Sequence, residues 1–133
     1  IGTPVSLWNK KAIKLNEDYK AKTGKGAIES YALEAYDSIT ILAQAMIEAK
    51  STDGDKIVTA LENISFDGTL GRIYFPYGTK KDPSVDGKGD EWWHQWPDVA
   101  LTMIQYQKEG QDSTDSPIIW PDAYKSGEPI FVK

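Results

Sequence analysis

The segment from Ser30 to Ala49 sets the problem that any fold of this chain has to solve. Ala32, Ala35, Tyr36, Ile39, Leu42, Ala43, Met46 and Ile47 recur at the 3.6-residue helical period and make one apolar stripe. Such a stripe has to be covered by a sheet or another helix, and the small side chains of Ala32, Ala35 and Ala43 allow a sheet to approach closely. The expectation is that Tyr36, Ile39, Leu42, Ala43 and Met46 are buried. Ser30 is the expected N-cap, because its hydroxyl can accept a hydrogen bond from an early backbone N–H.

Two further helices flank this one. Thr3 and Pro4 read as an N-cap and a first helical position, followed by Leu7, Trp8, Lys11, Ala12, Leu15 and Tyr19 at helical spacing. Gly24 and Gly26 end that helix, with Lys20 and Lys22 favourable near its negative end. Ser51-Thr52-Asp53-Gly54 is a turn and a new cap. A short helix over Asp55–Asn63 would bury Ile57, Val58, Ala60, Leu61 and Ile64.

From Ser65 the texture changes. Phe66-Asp67-Gly68 is a turn signal, and Gly71–Phe75 reads as a strand stopped by Pro76. Gly78–Asp90 is a polar loop, and Trp92, Trp93 and Trp96 follow in a loop closed by Pro97. Ala100–Gln107 reads as a strand, Glu109–Asp115 as a polar turn and Pro117–Pro121 as an extended segment, with one helical turn over Asp122–Ser126. Three amphipathic helices thus come with only two or three short strands, too few to build the middle layer of an α/β protein. The mismatch predicts that part of the fold lies outside this chain. The opening Ile1-Gly2-Thr3-Pro4, without Met or a leader pattern, carries the same expectation of a mature or partial chain.

Composition narrows the function. The chain is 40% hydrophobic and 11% aromatic, enough for a core. A formal charge of -5 opposes nucleic-acid binding, which needs a basic footprint. With no cysteine there is neither a disulfide nor a thiolate metal site. The most apolar stretch, Ala35–Ala49, is interrupted by Asp37, Ser38, Gln44 and Glu48 and falls short of the about 20 apolar residues of a membrane span.

The residues that carry chemistry are few. His94 is the only histidine; beside three tryptophans it is a candidate general base, or else a hydrogen-bonded loop residue. Asp82-Pro83-Ser84-Val85-Asp86-Gly87 opens like a calcium loop, but its twelfth position is Trp93 where a bidentate Glu belongs. Gly68-Thr69-Leu70-Gly71 lacks the Gly-Lys-Ser/Thr of a phosphate loop. No metal or cofactor is expected. Tyr31 sits at the start of the long helix, off its apolar stripe, with free N–H donors and the positive end of the helix dipole close by. An aromatic ring with a hydroxyl there suits a small organic ligand bearing a carboxylate.

The order of features from Tyr31 to Phe75 resembles a known family. Tyr31-Ala32-Leu33-Glu34-Ala35-Tyr36-Asp37-Ser38-Ile39, then Leu42-Ala43-Gln44-Ala45, Ser51-Thr52-Asp53, Ala60-Leu61 and Phe66-Asp67-Gly68-Thr69-Leu70-Gly71-Arg72-Ile73-Tyr74-Phe75 are similar to the C-terminal third of type I periplasmic substrate-binding proteins. More narrowly they resemble the leucine/isoleucine/valine-type receptors of ABC importers. Those show an alanine-rich helix beginning Ala-Tyr-Asp-Ala, a short linker helix and Phe-x-Gly-x-x-Gly-x-Ile-x-Phe. Met103–Gly110 resembles a late strand with its Gly turn, and Ile118-Ile119-Trp120-Pro121 the Val-Tyr-Pro-like ending. The Gly78–Trp93 loop is longer than the family's, and its tryptophans have no family counterpart.

The resemblance implies an α/β fold: the C-terminal fragment of a two-lobed type I periplasmic-binding-protein fold, three helices followed by short strands. Residues 1–90 would belong to the first lobe, 91–99 to the hinge crossover and 100–133 to the second lobe. It implies a non-enzymatic, periplasmic or extracellular solute receptor that closes about its hinge on a small ligand and is read by an ABC permease. The missing fold would come from the remainder of the receptor chain or from a second copy of this chain. Tyr31, with Ser30 beside it, matches the cleft-lining position at the helix start. A sensory ectodomain on the same fold, and an enzyme using His94, are the alternatives.

Overall fold

The computed structural model describes residues 9–99 and 101–131. The expected Thr3–Pro4 cap and the contacts of Leu7 and Trp8 lie outside them. Three helices come first: α1 (Lys10–Thr23), α2 (Ser30–Ala49) and α3 (Gly54–Leu61). Four short strands follow, β1 (Ser65–Gly68), β2 (Gly71–Tyr74), β3 (Met103–Ile104) and β4 (Ile118–Trp120). The chain is α/β in the expected order. The strands pair as two separate antiparallel hairpins, β1 with β2 and β3 with β4.

The chain divides into two compact units, one of residues 9–34 with 101–131, the other Ala35–Val99, so the boundary on the N-terminal side falls inside α2. In the first unit α1 starts at Asn9, whose side chain accepts from the Ala12 amide, and ends at Gly24 in the left-handed conformation. Lys20 and Lys22 occupy its last turn, as expected. Ala12 and Asn16 are its buried residues. The Asn16 side-chain oxygen takes the Ile28 amide at 2.9 Å, satisfying a buried donor in the approach to α2. Among the described residues of the expected strand over Ala100–Gln107, Met103 and Ile104 pair as a strand, against Trp120 and Ile118. Beyond that pair the Gln105 amide still donates to the Pro117 carbonyl at 3.1 Å, and side chains tie the segment to the C-terminal residues. Gln105 exchanges two hydrogen bonds of 2.8 Å with the Ile130 backbone, and Gln107 donates to the Glu128 carbonyl.

In the second unit Ile41, Ala45, Ile57, Ile64 and Ile73 form the core, with Met46, Ala60, Leu61, Phe66, Phe75 and Trp96 packed around it. Asp53 caps α3 through the Lys56 amide, and Val58 is the exception to its expected buried side. The turn signal at Phe66-Asp67-Gly68 is overturned: these residues form β1, and the turn is the two-residue Thr69–Leu70 link between the paired Gly68 and Gly71. Both glycines are required. Gly71 has φ 110°, and a Cβ on Gly68 would stand 2.5 Å from Asp37 Oδ2.

The expected face of α2 is also overturned. Ile39 is 70% exposed and Ile47 74%, and Tyr36, Leu42 and Ala43 are exposed too; Met46 alone of the predicted set is partly buried. The inward face is Leu33, Asp37, Ile41 and Ala45, at strict i, i+4 spacing. The physical reason is Asp37. Its carboxylate is 1% exposed and accepts from the Thr69 amide at 3.0 Å, the Thr69 hydroxyl at 2.9 Å and the Leu70 amide at 3.0 Å. A hairpin turn with orphan N–H groups draws the acid inward, and the helix is rotated to present it.

Candidate functional site

At the start of α2 the backbone carbonyl of Glu29 accepts from the Ala32 and Leu33 amides. Ser30 is therefore the first helical residue and not the cap. Its hydroxyl oxygen is buried and finds no hydrogen-bond partner among the described residues. Tyr31 beside it is 63% exposed and contributes nothing to either buried set. Tyr31 thus presents an exposed aromatic surface, while the Ser30 hydroxyl is buried and unspent among the described residues.

His94 is brought to a different place. Its Nε2 lies 2.8 Å from Glu62 Oε1, and Glu62 also accepts from the Thr79 amide at 3.0 Å and from the Thr79 hydroxyl. The Glu62 side chain is 3% exposed. Burial works against its charged form, but the two Thr79 bonds and the His94 ring together hold it below the usual carboxylate range. A carboxylate that orients an imidazole is half of a general-base arrangement. The hydroxyl in this cluster, Thr79 Oγ1, is directed to Glu62 and not to the histidine, so the cluster brings no nucleophile to the ring. Glu62 was invisible to the sequence reading because its partners lie 17 and 32 residues away.

The calcium-like segment closes on itself. Asp82 caps the short turn Pro83–Asp86 by accepting from the Ser84 amide and hydroxyl, bonds that hold its carboxyl below the usual carboxylate range. Asp86 accepts from Lys81 Nζ at 2.6 Å and the Tyr77 hydroxyl at 2.8 Å, which hold it below the usual range. Among the described residues no group of three or more His, Asp or Glu could hold a metal ion. The tryptophans are partly packed: Trp96 Nε1 donates to the Arg72 carbonyl at 2.8 Å, and Lys88 Nζ sits 3.7 Å from the Trp92 ring centre. A shallow, open depression of about 390 Å³ is lined by Glu48, Ala49, Lys56, Thr59, Ala60 and Asn63 and gathers none of the candidate residues.

The sequence profile of the periplasmic binding protein family matches residues 3–84, more than half of the chain. The chain belongs to the periplasmic binding protein family. The matched span takes in α1, α2 and the β1–β2 hairpin, so it includes Ser30, Tyr31 and the Asp37–Thr69 fastening. No curated protein and no solved structure matches the chain significantly. As a periplasmic binding protein the chain is a ligand-binding protein of a generally non-enzymatic family with an extracytoplasmic setting. Among the described residues no helix is long and apolar enough to cross a membrane.

Proposed function

We propose that this periplasmic binding protein is the C-terminal part of a solute receptor of the leucine/isoleucine/valine type. In this reading it serves an ABC importer and takes a small organic ligand such as an amino acid or an aromatic or aliphatic carboxylate. The observation that carries the site is the start of α2, where an exposed Tyr31 ring adjoins a buried, unspent Ser30 hydroxyl. Tyr31 would stack on the apolar body of the ligand and Ser30 would donate to its polar end. Closure of the complete two-lobed receptor about its hinge would then present the loaded form to the permease.

In the same reading residues 1–90 contribute to the first lobe, 91–99 to the crossover and 100–133 to the second lobe. The unit boundary after Val99 coincides with the end of that crossover; the boundary inside α2 has no counterpart in the division. The remainder of the receptor chain, or a second copy of this one, supplies what covers Tyr36, Ile39 and Ile47 on the outer face of α2.

The test is calorimetric titration of the full receptor with leucine, isoleucine, valine, phenylalanine and benzoate, before and after Tyr31→Ala. The expected outcome is at least one binder, weakened about tenfold or more by the substitution, with an unchanged Tm. Unchanged affinity with a large fall in Tm would place Tyr31 in the core and remove the site.

A further inference from the structure

We propose that Glu62 and His94 form a pH-responsive clasp that fixes the segment from Tyr77 to Trp96 onto the end of α3. The inference is independent of the ligand assigned to the start of α2. Glu62 follows the last residue of α3 and its backbone N–H is held by the Val58 and Ala60 carbonyls, so its position is set by the helix. Its one carboxylate holds the segment near both ends: Thr79 by amide and hydroxyl, His94 by the ring. The His94 amide closes the same loop by donating to the Tyr77 carbonyl at 3.1 Å. His94 has φ 54°, a left-handed conformation that side chains avoid unless their surroundings hold them there.

The protonation chemistry follows from the geometry. An ionised carboxylate only accepts, so the ring nitrogen facing Glu62 carries the hydrogen. In the neutral ring that nitrogen is Nε2, which leaves Nδ1 as the one that takes up a second proton. Uptake converts a hydrogen bond from a neutral ring to a charged carboxylate into an ion pair across the same 2.8 Å. The other charged groups on the surrounding elements are directed elsewhere. Lys80 Nζ meets Asn63 Oδ1, Lys81 pairs with Asp86, Lys56 lines the open depression beside Asn63, and Asp90 and Glu91 lie on the short Asp90–Trp92 turn. His94 is the titratable group whose ring meets Glu62.

The acid limit comes from Glu62. Its value in the fold lies below that of the unfolded chain, so its contribution is complete above about pH 4.5. That contribution is lost as pH falls through the lowered value. The clasp is therefore complete above the lowered value of the carboxylate, and a second proton on His94 adds an ion pair to it.

The test is amide hydrogen exchange of residues 1–133 followed by NMR. The protection of Thr79 and His94 is divided by that of Ile57 and Ile73, which removes any change in the stability of the whole unit. Since the chain has one histidine, a change between about pH 8 and about pH 5.5 that depends on the imidazole has one source. The expected result is Thr79 protection about two- to fivefold higher at the lower pH, a gain absent in His94→Gln. Glu62→Gln lowers Thr79 protection about tenfold or more at both pH values. Equal wild-type protection at the two pH values, a pH gain that survives His94→Gln, or an inert Glu62→Gln would each overturn the clasp.

Discussion

Asp37 shows most directly how one side chain decides the local fold. It stands on the inward face of α2 with Leu33, Ile41 and Ala45, and its two oxygens satisfy the two backbone N–H groups of the Thr69–Leu70 turn and the Thr69 hydroxyl. Asp37→Ala leaves those donors buried without a partner, at roughly 1–3 kcal/mol for each unsatisfied group. The expected loss is about 3 kcal/mol of unfolding free energy in urea, against about 1 kcal/mol for Thr69→Val, which removes only the hydroxyl bond. Equal costs for the two substitutions would show that the turn amides find water when the carboxylate is gone. The burial of Asp37 was not legible, because α2 also carries Glu34 and Glu48 and the helical period does not single out one acid. Its partner was not legible, since 32 residues separate Asp37 from Thr69. At the candidate site Tyr31 was legible from its place off the stripe, whereas Ser30 read as a cap and is instead an unspent hydroxyl inside the first turn.

The same logic at the scale of the element explains why α2 was read with the wrong face inward. Its apolar residues occupy more than one side: Ile39, Ala43 and Ile47 on one, Leu33, Ile41 and Ala45 on another. Periodicity alone ranks such faces by bulk, and the bulkier stripe with Tyr36 and Leu42 wins that ranking. Burial of Asp37 against the hairpin outweighs it. The existence, order and approximate limits of all three helices were legible because caps and glycines are local chemistry, as Asp53 and Gly24 show. The β3–β4 hairpin was less so, because its pairing is short and the Gln105 and Gln107 side-chain amides go to the Ile130 and Glu128 carbonyls, 25 and 21 residues away. The rotation of α2 is testable by paired truncations in the 133-residue chain. Ile41→Ala should cost about 2–5 kcal/mol, as for other packed aliphatic side chains. Ile39→Ala should stay within about 0.5 kcal/mol of wild type. The opposite ranking in urea unfolding would restore the stripe as the buried face.

Across the whole molecule, the shortage of strands that was legible in the sequence reappears as two isolated two-stranded hairpins, each a marginal structure without a packed face. The β1–β2 hairpin has such a face, since Ile73 and Phe66 join Ile41, Ala45, Ile57 and Ile64 in a continuous aliphatic core. The unit made of residues 9–34 and 101–131 has a thinner one. Its buried apolar side chains are Ala12, Ile28, Leu33 and Ile118, accompanied by the polar Asn16 and Ser116. There the fold relies on side chain to backbone bonds such as Asn16 to Ile28 and Gln105 to Ile130. Each such bond contributes about 1 kcal/mol net, whereas burial of an aliphatic side chain contributes about 1.5–3 kcal/mol. Local opening free energies should follow that difference. Native-state hydrogen exchange in low urea is expected to show the Ile28 amide opening at least about tenfold more readily than the Ile57 and Ile73 amides, with a smaller urea dependence. Identical opening free energies and identical urea slopes at Ile28 and Ile73 would mean that both units unfold as one cooperative body, through the continuity of α2 that both share.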